Sequence, residues 1–80
     1  MPNVFKNRIK GYRFFFYSNE GSEPVHVHVS KAGNVAKFWL HPVALAKNNG
    51  FTQMELTFIK KLVETRVNSI SNKWNEHFSK

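Results

Sequence analysis

Cysteine and aspartate are both absent from this 80-residue chain. Without cysteine there can be no disulfide, no thiol nucleophile and no cysteine-ligated zinc. That absence suits a reducing compartment, and a cytoplasmic location is expected. Without aspartate, the acidic side is five glutamates against twelve Lys and Arg, a formal net charge of +7 and a pI near 10.1. Such a balance favours polyanionic partners: nucleic acid first, an acidic protein second, an anionic membrane third. Long apolar runs are missing too, so no membrane-spanning helix is expected. The opening "MPNVFKNRIK" has no apolar segment of the kind a secretory signal needs. What is present is 41% hydrophobic and 15% aromatic content, with eight phenylalanines. A chain so composed has a core and is not a disordered tail. Its length sets one domain, residues 1–80, of the modest stability that a homodimer would reinforce.

The most specific stretch is "EPVHVHVS", where His26 and His28 alternate with Val25, Val27 and Val29. β-Branched residues alternating with polar ones mark a half-buried strand. The aromatic run Ile9 to Asn19 before it reads as a buried strand closed by "SNEGSEP", which holds Asn19, Gly21 and Pro24. After "KAGN", Val35 to Leu40 is predicted to complete a hairpin. Val43 to Ala46 reads as a short edge strand or a loose turn, since Pro42 precedes it. Thr52 and Glu55 are spaced as a capping box, with Phe51 and Leu56 at the staple positions. From Leu56 through Ile59, Val63, Val67, Ile70 and Trp74 to Phe78, apolar residues recur at helical spacing. The pattern predicts one helix from Gln53 to His77, with a kink or frayed tail near Ser69, Ser71 and Asn72. The expected fold is α+β: a small antiparallel sheet of three to four strands packed on one face by a long C-terminal helix.

One helix covers one sheet face. Val25, Val27 and Val29, with Tyr12, Phe14, Phe16, Ala36, Phe38 and Leu40, are assigned to the covered side. The other side then carries Arg13, Phe15, Tyr17, His26, His28, Lys37 and Trp39. Cations beside aromatic platforms are the physical recipe for single-stranded nucleic acid, so Phe15, Tyr17, Trp39, Arg13 and Lys37 are candidate RNA contacts. An apolar patch of this kind also suits a dimer or partner interface. The imidazole pair has three readings. His26 and His28 could serve as acid and base in metal-independent RNA cleavage, with Arg13 or Lys37 stabilising the phosphorane. They could share a metal ion, with His41, Glu20 or Glu23 as third ligand. Or they could be polar residues of a wet strand, with no cofactor or metal involved. His77, beside Trp74 and Phe78, is explained by the helix C-terminus.

"GYRFFFYSNEGSEPVHVHV", "AKFWL", "PVALAKNNGF" and the tail "EL…I…LV…WNEHF" resemble a family of small bacterial proteins known as domain of unknown function 4160. The resemblance implies a β-rich sheet followed by a C-terminal helix, and the family's paired histidines map onto His26 and His28. It also implies a place in a toxin–antitoxin-like gene pair. The function expected is a small basic toxin-like protein that acts on or binds RNA, with an acidic antitoxin-like protein as partner. The alternatives are a non-enzymatic partner-binding protein and a metal-binding domain.

Overall fold

A computed structural model describes residues 3–78. Four strands, β1 (Arg13–Phe15), β2 (His26–Lys31), β3 (Asn34–Leu40) and β4 (Val43–Asn49), form one antiparallel sheet in the order β1-β2-β3-β4. Two helices follow, α1 (Gln53–Glu64) and α2 (Val67–Phe78). The fold is α+β, as the alternation and the capping box imply.

Chain reversals set the strand limits. Ala32 and Gly33 both take positive φ, +52° and +84°, the backbone of a two-residue hairpin turn that matches strand twist. That turn pairs β2 with β3 from Lys31↔Asn34 to His26↔Trp39. Pro42 lies in the tight turn at residues 41–42 and spares the ladder, so β4 extends past the expected Ala46 to Asn49. The β3–β4 register shifts at Lys37/Phe38, leaving Ala46 unopposed. At the other edge the aromatic run makes a much shorter strand than Ile9 to Asn19. Ile9 and Tyr12 close a turn by mutual backbone hydrogen bonds of 2.9 Å, and pairing with β2 stops at Phe15↔His28.

The core lies between the sheet and the helices. Val27, Val29, Phe14, Phe16, Ala36, Phe38 and Leu40 meet Leu56, Ile59, Val63, Ile70 and Trp74 there. The helix starts as expected: Thr52 Oγ1 accepts from the Glu55 amide at 3.2 Å, and Glu55 Oε1 accepts from the Thr52 amide at 3.0 Å. The single long helix is instead two helices, and the break falls at Thr65–Arg66, before the serines expected to cause it. There Thr65 Oγ1 donates to the carbonyls of Lys61 and Leu62, and the Arg66 guanidinium donates to the Leu62 carbonyl at 3.1 Å. These side chains satisfy the Leu62 carbonyl, which loses its helical partner because the Arg66 amide donates to Val63 instead. After the turn, α2 carries Trp74 to the end of the sheet where β1 has stopped.

Candidate functional site

The strand register puts Arg13, Phe15, His28, Lys37 and Lys47 on one face, with His26, Trp39 and Ala44 in the next row. The alternation of the sequence therefore sorted the two faces correctly. The exposure expected of the second face does not hold. His26 is 0% exposed, His28 6% and Phe15 1%. Two things cover them. Residues 16–25 fold back over the end of β1, and α2 brings the Trp74 ring to 4.9 Å from that of His26.

Within this cover the imidazoles converge on one carboxylate. His26 Nε2 and His28 Nε2 each lie 2.8 Å from Glu20 Oε1, which also accepts from the Tyr17 amide at 3.3 Å. His26 Nδ1 lies 2.9 Å from the Pro24 carbonyl oxygen. A carbonyl can only accept, so Nδ1 carries a hydrogen and donates it. Aromatic rings enclose the group: Trp39 and Trp74 stand edge-on to His26, Phe15 stacks on His28, and Tyr17 meets His28 at 4.5 Å. Burial alone pushes the Glu20 carboxyl up, but hydrogen bonds and charge from His26 and His28 outweigh it and leave it below the ordinary carboxylate value. Burial pushes the His28 imidazole below its usual value, partly opposed by its bond to Glu20 and helped by the charge of Lys37.

Of the three candidate third ligands, only Glu20 among the described residues reaches both imidazoles. Glu23 Oε1 pairs with Lys37 Nζ at 2.7 Å and stays 3.9 Å from His26 Nδ1. His41 Nε2 bonds to Ser71 Oγ at 3.1 Å. Glu20 lies in a stretch whose residues read as turn chemistry, and no spacing rule ties a turn residue to histidines six and eight positions on.

The candidate RNA contacts are brought to one side but not equally offered. The Phe15 ring is covered by the Arg13 guanidinium at 4.4 Å and by His28, so no base can stack on it. Trp39 is half-buried beneath Lys37 Nζ at 4.5 Å. Arg13 is half-buried, and its Nε has no hydrogen-bond partner among the described residues. Of the three candidate rings, Tyr17 is the most open to solvent, at 37%. It lines a shallow hollow with His28, Lys37, Lys47 and Asn49. Lys47 and Asn49 lie in the part of β4 beyond the expected limit at Ala46.

These features define a small, basic α+β protein with a buried glutamate–histidine centre beneath a cationic hollow. The family model described as "Domain of unknown function (DUF4160)" matches residues 11–75, and the chain belongs to that family. The match takes in all four strands and reaches into α2. No curated protein and no solved structure matches. No helix among the described residues is long and apolar enough to cross a membrane.

Proposed function

We propose that this protein is the basic, toxin-like member of a two-protein module, that it binds RNA through the hollow over the second sheet face, and that a small acidic antitoxin-like protein holds it in check. The observation that carries the reading is Lys37 opposite Lys47 on neighbouring strands, beside the exposed ring of Tyr17. Like charges directly opposite on a sheet are destabilising, and a phosphate between them removes the cost. Glu23 offsets Lys37, whereas Lys47 enters no ion pair among the described residues. Tyr17 offers a base a stacking surface next to that phosphate. The net charge of +7 supplies attraction at longer range.

Binding is favoured over cleavage. His26 has no exposed surface, and both Nε2 atoms are turned to Glu20 rather than to a gap that could hold a phosphodiester. Filter binding of single-stranded RNA over a range of salt tests the proposal. Lys47→Ala should weaken binding and reduce the salt slope by roughly one ion. Tyr17→Ala should weaken it by about 1–3 kcal/mol and leave the slope unchanged. Affinity indifferent to salt and to both substitutions overturns the RNA assignment. Normal growth on inducible expression of the chain alone overturns the toxin-like role.

A further inference from the structure

We propose that Glu20, His26 and His28 form a binding site for a divalent transition-metal ion of the zinc class. Nothing in this inference depends on RNA binding. His26 Nδ1–H is committed to the Pro24 carbonyl, so the Nε2 of the neutral ring presents a lone pair. That lone pair faces Glu20 Oε1 at 2.8 Å. Two acceptors do not approach so closely in an aromatic-walled space, with the imidazole fully buried and the carboxylate mostly so, unless a positive species lies between them. The species is either a proton or a metal ion, and the surroundings suit a metal.

The donor set comes first. Two imidazole nitrogens and a carboxylate oxygen lie within 4.8 Å of one another. Such a set suits zinc and its first-row neighbours rather than the hard cations that want oxygen alone. Ligand bonds of about 2.0–2.2 Å at tetrahedral angles separate donors by roughly 3.3 Å. Opening each 2.8 Å contact by about half an ångström, with the two Nε2 atoms brought to the same separation from within 4.8 Å, would make that space. The support around the donors comes second. An Nδ1–H bond to a backbone carbonyl fixes the tautomer and the aim of a ligating Nε2, and His26 has that bond. His26 and His28 stand two apart on one strand face, so β2 sets their separation, and the apolar rings around them limit water. Three protein ligands leave a fourth position for water or substrate. His28 is the ligand that also lines the cationic hollow.

The test uses the full chain, stripped of metal with a chelator and then titrated with Zn²⁺, Co²⁺ and Mg²⁺. One Zn²⁺ per chain should bind and raise the melting temperature. Co²⁺ should give the visible absorption of a low-coordinate nitrogen–oxygen site, and Mg²⁺ should do neither. In nitrogen-15 spectra of the wild-type imidazoles, Nε2 of both His26 and His28 should move on Zn²⁺ addition while the His26 Nδ1–H signal persists. Glu20→Gln and His28→Gln should each weaken binding at least about tenfold, and His41→Ala should not. The wild-type spectra decide the matter even if those variants fail to fold. Unmoved His26 and His28 signals at saturating Zn²⁺, or binding that disappears with His41→Ala, overturn the proposal and leave a proton between the imidazole and the carboxylate.

Discussion

At the residue scale, His28 shows how a polar side chain can be as structural as the valines that flank it. Val27→Asp would bury a bare charge in the core, and His28→Asp would set a second carboxylate against Glu20. Each should cost several kcal/mol, enough to unfold a domain this small, as circular dichroism melts would show. In metal-free protein, acid should also weaken the fold at this point. Glu20 titrates below its unfolded value near 4.5, and His28 below its unfolded value near 6.5. For both groups the unfolded chain binds more protons than the folded one, so stability rises with pH. The His28 contribution is fully present above about 6.5 and fades as pH falls through its lower folded value. The Glu20 contribution holds to about 4.5 and fades below that. Urea midpoints measured with chelator should therefore decline below pH 6.5, and Glu20→Gln should flatten the lower part of the decline. Midpoints that rise on acidification would contradict both directions.

Among the elements, the hairpin and the helix start were legible because each rests on local chemistry. The capping box needs only residues three apart, and Thr52→Ala should cost about 1 kcal/mol in a denaturant melt. Alternation in β2 and β3 was equally local, and it placed Val27 and Val29 on one face and His26 and His28 on the other. Burial was not legible, because what covers His26 is Trp74, forty-eight positions away in sequence. Its arrival depends on a helix break that Thr65 and Arg66 make with their side chains, at a point where the apolar spacing runs on without interruption. The β2–β3 turn has room for improvement. Ala32 holds φ +52°, a conformation that asparagine tolerates better. Ala32→Asn should raise stability by up to about 1 kcal/mol, and an unchanged melting midpoint would show that the turn is already relaxed.

For the molecule as a whole, an excess of positive charge opposes compaction. Eleven cationic side chains and five glutamates among the described residues share a body of 37 × 24 × 21 Å. Three of the glutamates are committed at single points: Glu20 to the imidazoles, Glu23 to Lys37 and Glu55 to the helix cap. Added monovalent salt should therefore raise the melting temperature by screening self-repulsion, while it weakens any RNA complex. A melting temperature that falls with salt would mean that the few ion pairs outweigh the net charge. The same carboxylate that joins the two histidines also takes the Tyr17 amide hydrogen. Glu20 thus latches segment 16–25 to the sheet alongside the Glu23–Lys37 pair and the Pro24 carbonyl, and the Glu20 latch has a built-in reporter. Hydrogen exchange at the Tyr17 amide would time its opening, and whatever occupies the centre would slow that clock.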